Sequence, residues 1–146
     1  MYMAKTDINT QIDSIDVSTI GTIDNANIFG EVERLAGDYG RVSELLLHAT
    51  LAASHAKTRL DQLEGQIDLS VRQSCEVSGA KVTEPKIKSA VKATQSYVVA
   101  KSAVEEAEGR VDRCKAALKT LDKKERMLDI LARFQIREFG INQRTQ

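Results

Sequence analysis

The apolar positions of residues 28–67 recur at alternating steps of four and three residues. Such a repeat is typical of a long helix that packs one stripe of its surface against another helix. Three alanines in the middle of the stripe allow a close approach. The sequence predicts that this helix is capped by Asp24 or Asn25 and fades near residues 65–68. The twelve stripe positions are Ile28, Val32, Leu35, Tyr39, Val42, Leu46, Ala49, Ala53, Ala56, Leu60, Leu63 and Ile67.

The C-terminal half predicts a short helix followed by a second long one. Thr83-Glu84-Pro85 is a helix start signal, because threonine can cap a helix and proline is tolerated in its first turn. After a break at residues 94–96, the long helix is expected to run from about residue 97 to 139 and to end at Gly140. Its stripe shifts after Leu121, which indicates a change of partner near the helix end. The stripe consists of Tyr97, Ala100, Val104, Ala107, Val111, Cys114, Leu118 and Leu121, followed by Leu128, Leu131 and Phe134.

These patterns predict an all-α protein with two long amphipathic helices and a short helix between them. We expect the long helices to pack as an antiparallel hairpin or coiled coil within a single helical domain, residues 25–139. Residues 1–24 are predicted to form a flexible or partner-docked arm, with one extended piece at 15–20. Residues 68–82 predict a loop, with or without a ragged extension of the first helix, and residues 140–146 a tail. Extra leucines beside the first stripe predict assembly into an oligomer, of which a ring is one form.

The net charge of zero hides an uneven distribution. Residues 1–76 contain 6 Lys/Arg and 12 Asp/Glu, whereas residues 77–146 contain 15 Lys/Arg and 9 Asp/Glu. This asymmetry indicates an anionic partner for the second half or attraction between the halves in an assembly. Solvated helix faces would explain it equally well. Two cysteines without metal-type spacing, no signal peptide and no membrane-length apolar run favour a cytoplasmic protein that contacts no membrane.

The sequence contains no recognisable catalytic equipment. It has no Ser/His/Asp order, no paired-carboxylate cleft and no Gly-rich phosphate loop. His48 and His55 share a helix face but lack further ligands at metal-type spacing. We therefore expect neither an enzyme nor a cofactor or metal site.

Basic clusters are the strongest functional signal in the sequence. Lys57 and Arg59 stand in the mostly acidic half, and four lysines follow with only Glu84 between them: Lys81, Lys86, Lys88 and Lys92. Contacts to nucleic-acid phosphates require only suitably spaced cations, and an oligomer multiplies them. A third cluster, residues 110–126, is mixed with acids and either contacts DNA or forms only ion pairs within the helix.

Two segments resemble the phage recombination mediators of the UvsY type. The C-terminal segment has T-E-x-x-I-x-x-x-V from Thr83, Tyr97, K-A-A-L-K-T-L-D-K-K-E-R-M-L-D-I-L at 115–131, and Arg137 with Glu138. The other segment has K-T-R-L-D at 57–61 with Gly65 after it, similar to the K-x-R-L-D-x-x-x-G stretch of the family. The resemblance covers about residues 25–139.

The resemblance implies a non-enzymatic protein of phage homologous recombination that acts in the host cytoplasm. Such mediators form homo-oligomeric rings of six or seven subunits, bind single-stranded DNA, displace the single-strand-binding protein and load a RecA-like recombinase. It also implies that Lys57 and Arg59 contact the DNA. From the charge pattern, we expect the four lysines of 81–92 to be second-line contacts. Gln62 and Leu63 stand where tyrosines are common in the family, which favours phosphate contact over base stacking.

Two other functions fit the residues. A structural coiled-coil scaffold or assembly protein of a virion would use the same stripe without affinity for DNA. A small regulator that docks on a host protein is a third reading, although no residue singles it out.

Overall fold

The computed structural model describes residues 7–144, with side chains described through Gly140. These residues form helices and no strand, so the prediction of an all-α fold with two long helices and a short one between them is confirmed. The described helices are α1 (Ile8–Asp13), α2 (Val17–Ile20), α3 (Ile28–Ser78), α4 (Glu84–Ala93) and α5 (Gln95–Arg144).

The helix α3 is longer than the sequence predicted. It continues through Gly65 to Ser78, so the loop expected at 68–82 is reduced to residues 79–83. Val71, Arg72 and Cys75 remain half-buried along this extension, which keeps one face of the helix covered. The helix ends at Gly79, whose φ of 64° lies in the left-handed region that glycine adopts without steric cost. The amide of Ala80 then donates to the carbonyl of Cys75 at 3.1 Å.

Replacement of Gly79 by alanine is expected to lower the free energy of unfolding by about 1–2 kcal/mol, because a Cβ disfavours the left-handed conformation. Urea denaturation monitored by circular dichroism measures the change. Gly65→Ala is the matched control, since Gly65 lies in open space within α3 and alanine is the better helix former there by about 0.5–1 kcal/mol. Equal stability of Gly79→Ala and the wild type would contradict this role of Gly79.

The predicted helix start at Thr83-Glu84-Pro85 is confirmed in position, although the Thr83 side chain makes no capping hydrogen bond. The predicted break at 94–96 is shorter, because α5 already begins at Gln95. Thr83 is the residue before α4, Pro85 lies in its first turn, and Thr94 separates α4 from α5.

The predicted end at Gly140 is wrong, because α5 continues to Arg144. Gly140 lies inside the helix in open space, and nothing there requires a left-handed residue. Residues 145–146 of the predicted tail lie outside the described residues.

The helices cluster into two compact units. The terminal unit contains the described residues up to His48 and from Asp112 onward, and the central unit contains Ala49–Val111. The predicted domain of residues 25–139 spans parts of both. The apolar core of the terminal unit includes Ile12, Ile15, Ile28, Leu35, Val42, Leu45, Cys114, Ala117, Leu121 and Leu128. The apolar core of the central unit includes Ala49, Ala53, Ile87, Val91, Val104 and Ala107.

The described part of the N-terminal arm packs on its own chain within the terminal unit. Ile12 is 0% exposed and Ile15 is 8% exposed, and Arg113 Nη1 donates to the carbonyl of Asp13 at 2.8 Å. The extended piece predicted at 15–20 is instead mostly helix α2, because the Asp16 side chain accepts from the amide of Ser18 at 2.9 Å and caps it. The first six residues of the arm lie outside the described residues.

A buried ion pair explains the apparent shift of the α5 stripe. Lys124 stands three residues after Leu121 and four before Leu128, so it occupies a core-facing position. Its Nζ lies 2.6 Å from Glu31 Oε2, and both side chains are 6% exposed. Hydrogen bonding and charge from Lys124 hold the pKa of Glu31 below its ordinary value. The stripe is therefore interrupted by a charged residue whose partner lies on α3.

Candidate nucleic-acid interface

The six cations predicted to contact DNA all belong to the central unit, and all are exposed. Lys57 and Arg59 lie on α3, and Lys81 lies in the connection before α4. The other three, Lys86, Lys88 and Lys92, lie on α4. The structure thus places the predicted residues in one unit while distributing them over three segments.

Lys57 is already engaged in an ion pair. Its Nζ lies 2.7 Å from Oε1 of Glu108 on α5, with the two side chains 57% and 48% exposed. Hydrogen bonding to Glu108, together with its negative charge, raises the pKa of Lys57. An exposed pair of this kind is weak and exchangeable in water. A phosphate group must therefore compete with Glu108 for this ammonium group.

The side chains of Arg59 and Lys57 lie on different sides of α3. Two residues along an α-helix correspond to a rotation of about 200°, so the K-x-R spacing puts these side chains on opposite flanks of the α3 stripe. Arg59 lines a groove of about 980 Å³ between α3 and α5 within the central unit. The other lining residues are Ala52, His55, Ala56, Thr58, Ser96, Val99, Ala100 and Ala103.

The groove can hold an elongated, partly apolar ligand beside a cation. Its alanines leave space between the helices, and Arg59 supplies a guanidinium group with the planar donor geometry that suits phosphate. Its lining contains no Phe, Tyr or Trp, and the one aromatic ring that it offers is the imidazole of His55. Contact of Arg59 with phosphate stays a prediction.

The lysines of α4 are set around a small buried stripe. Ile87 and Val91 are 2% and 3% exposed and attach the helix to its unit. Lys88 and Lys92 are four residues apart and share a face, whereas Lys86 lies on the other side of the stripe. The helix therefore presents cations on both sides of its line of attachment.

Glu84, the acid nearest in sequence to the α4 lysines, forms an ion pair with Arg72. Arg72 Nη2 lies 2.9 Å from Oε1 and 3.0 Å from Oε2 of Glu84, in the first turn of α4. Arg72 also contacts Asp68, and its pKa is raised by Glu84 first and Asp68 second. Glu84 is the only acid among residues 77–101, a stretch that contains five lysines. The stretch consequently presents a strongly positive surface.

Two residues that shape this surface were missed in the sequence. Glu108 lies 51 positions after Lys57, and no local pattern connects them. Arg72 falls in the segment predicted as a loop, where a pairing with Glu84 could not be expected. The i,i+4 spacing of Asp68 and Arg72, and that of Ile67, Val71 and Cys75, were local signals that this segment is helical.

The chain matches no protein-family model, no curated protein and no solved structure. The resemblance to UvsY-type mediators therefore stays a prediction from short segments. In the part of the chain that the structure describes, no group of three or more His, Cys, Asp or Glu residues could hold a metal. Across those same residues, no helix has the length and apolarity needed to cross a bilayer.

Proposed function

We propose that this protein is a single-stranded DNA-binding recombination mediator, which helps load a RecA-like recombinase onto DNA coated by single-strand-binding protein. The observation that supports this most is the lysine-rich stretch 77–101, whose only acid is paired with Arg72. The K-T-R-L-D segment adds Lys57 and Arg59 in the same unit.

The proposed contact is electrostatic and independent of base sequence. Exposed lysines on long flexible side chains neutralise phosphates and release condensed counterions, which makes binding strongly salt-dependent. Lys88 and Lys92 present two ammonium groups on one helix face, and Arg59 adds a guanidinium at the groove. The chain thereby holds the backbone of a strand while its bases remain available to a recombinase.

Assembly is part of the proposal. One copy presents few cations, whereas a homo-oligomer, a hexamer or heptamer by the resemblance, would present several such surfaces to one strand. Linked contacts raise the effective concentration of each further contact. Such an array could compete with single-strand-binding protein for DNA in the host cytoplasm, where the recombinase would then be loaded.

A scaffold protein without DNA affinity is the second candidate. The α3 stripe is compatible with it, since eleven of the twelve positions are buried or half-buried within this chain, and a coiled-coil hairpin of this kind needs no contact with DNA. Measurement of mass in solution with and without a labelled single-stranded oligonucleotide separates the two. A discrete oligomer that takes up the oligonucleotide at physiological salt supports the mediator. A dimer or filament that is indifferent to the oligonucleotide contradicts it and favours the scaffold.

Glu108→Gln is expected to strengthen oligonucleotide binding about two- to fivefold, because it removes the carboxylate that competes for Lys57. Fluorescence anisotropy at constant salt measures the effect. Glu106→Gln removes an exposed charge from the same helix without a contact to Lys57 and serves as the control. The same gain in both variants would show that net charge, and not release of Lys57, is responsible.

A further inference from the structure

The outer side of α5 in the terminal unit carries a face that is both apolar and basic. Met127, Ile130 and Phe134 are 49%, 47% and 59% exposed. On an ideal helix they fall within an arc of about 100° that also contains Lys123, Arg126 and Arg137. The buried residues Leu121 and Leu128 lie on the opposite side of the helix. We name these six residues, Lys123, Arg126, Met127, Ile130, Phe134 and Arg137, the basic outer face.

A second exposed apolar surface of the terminal unit is acidic. Phe29 and Val32 on α3 are 75% and 46% exposed, and Val32 lies two turns before Tyr39 on the same helix face. The Tyr39 hydroxyl donates to Asp122 Oδ1 at 2.6 Å and lies 3.3 Å from Glu125 Oε2. We name the four residues Phe29, Val32, Asp122 and Glu125 the acidic flank.

The two surfaces point in different directions. Asp122 and Glu125 lie about 80° and 140° around α5 from Ile130, the centre of the basic outer face. The Tyr39 hydroxyl is the hydrogen-bond partner found for both carboxylates within the described residues. The carboxylates contact Tyr39, which shares the α3 face of Val32, so negative charge lies on the flank that carries Val32, with Phe29 one turn before it. Cations surround the apolar side chains of the outer face.

The exposed area is large for a single chain in water. Phenylalanine buries about 150–250 Å² when covered, so Phe29 leaves on the order of 150 Å² uncovered on the acidic flank, and Phe134 leaves on the order of 120 Å² uncovered on the basic outer face. Met127 and Ile130 add to the basic outer face and Val32 adds to the acidic flank, and exposed apolar patches of this kind are often functional. A standard interface buries about 800 Å² per partner, and the alkyl parts of the flanking Lys and Arg side chains add to the apolar contribution.

We infer that the basic outer face of one copy docks on the acidic flank of a second copy. The two surfaces match in both properties: each is apolar at its centre, and their charges are opposite. A contact between two different surfaces of the same chain is heterologous, and its repetition closes a ring or continues as a filament. The inference rests on the self-association contained in the proposed function and assigns surfaces to it.

The test is a mass measurement by sedimentation velocity over a concentration series. Phe134→Glu places a carboxylate in the basic outer face, where the acidic flank of a second copy repels it, and Phe29→Lys places an ammonium group in the acidic flank, where the basic outer face repels it. Both positions are exposed, so both variants should retain the wild-type circular dichroism. Each variant alone is expected to lose the wild-type oligomer. An equimolar mixture is expected to associate in a one-to-one ratio, because each variant retains the surface that the other lacks. Val77→Glu, at a position 91% exposed in the central unit, is the control and should keep the wild-type mass.

Three results would overturn the inference: a wild-type chain that is monomeric at all concentrations, variants that keep the wild-type mass, or a mixture that stays monomeric. The last result would indicate a contact that needs both surfaces on each copy, as in a two-fold symmetric dimer. Oligonucleotide binding is measured on the same samples. Its persistence without assembly would remove this interface and leave the DNA-binding proposal standing. Loss of DNA binding in Phe134→Glu with assembly intact would identify the basic outer face as a DNA contact and also overturn the inference.

Discussion

Replacement of Glu31 by leucine is expected to lower the free energy of unfolding by about 3–5 kcal/mol, because it leaves the ammonium group of Lys124 buried without its carboxylate. Among the described residues, Glu31 is the ion-pair partner found for Lys124. Glu31 itself also accepts from Arg34 at 3.2 Å and from the amide of Asp24 at 3.3 Å. Lys124→Met should therefore cost less than Glu31→Leu. Chemical denaturation of both variants measures the difference.

The double variant Glu31→Leu with Lys124→Met is the control, and it should recover much of the lost stability because an apolar pair replaces the ionic one. A Glu31→Leu chain as stable as the wild type would contradict the assignment of the pair to the core.

The stability of the wild-type chain at acid pH gives a second test of the ion pair. In the folded chain the pKa of Glu31 is lowered from 4.5. The contribution of Glu31 to the free energy of unfolding is therefore complete above pH 4.5 and is lost as the pH falls through the lower pKa of the folded chain. The double variant should lack this loss.

Replacement of Lys81, Lys86, Lys88 and Lys92 by glutamine is expected to weaken oligonucleotide binding on the order of 10–100-fold at low salt. If all four contact phosphates, the slope of log affinity against log salt should become less negative by about 2.8, since each contact to a single strand contributes about 0.7. The four side chains are exposed, so the fold should not change. Fluorescence anisotropy over a salt series measures both quantities.

The matched control removes four exposed cations of the terminal unit, Arg41, Lys115, Lys119 and Arg133. This control changes the net charge by the same amount as the four-lysine variant. It should alter the slope of log affinity against log salt much less than that variant does. A four-lysine variant that keeps the wild-type slope would exclude this cluster as the phosphate contact. Equal weakening in both variants would show that DNA binding depends on net charge or on Lys115 and Lys119 of the third cluster, and it would contradict a specific role of the four lysines.

The long helices could be predicted because their signal is local and repeated. All positions of the α3 stripe indicate the same helix face. The stripe therefore predicts the helix even though one of its members, Val32, is exposed. Helix ends were less predictable. Gly65 and Gly140 stay helical, whereas Gly79 adopts a positive φ, and residue type alone does not distinguish these cases.

Contacts between distant residues account for the other differences. Ile12 and Ile15 looked like isolated residues of an arm, because the core that covers them is formed largely by residues far along the chain. Lys124 looked like a break in the stripe, although Glu31 also stands at core-facing spacing, three residues after Ile28 and four before Leu35. Two charged residues at such positions on paired helices are a signal of a buried ion pair.

The exposure and the clustering of the candidate cations could be predicted, but their arrangement could not. The K-x-R spacing already implies opposite flanks for Lys57 and Arg59, whereas the Glu108 contact depends on how α5 packs against α3. The pairing of Glu84 with Arg72 likewise depends on the chain reversal between α3 and α4. That pairing is what leaves the α4 lysines without an opposing local acid.

Binding of a labelled single-stranded oligonucleotide to the wild-type chain over a salt series tests the central claim most directly. The account predicts clear binding at low salt and a linear, steep decrease of log affinity with log salt, in proportion to the number of phosphates contacted. It also predicts little dependence on the base sequence of the oligonucleotide. Absence of binding at low salt, or an affinity that salt does not change, would contradict the proposal that this protein acts on single-stranded DNA.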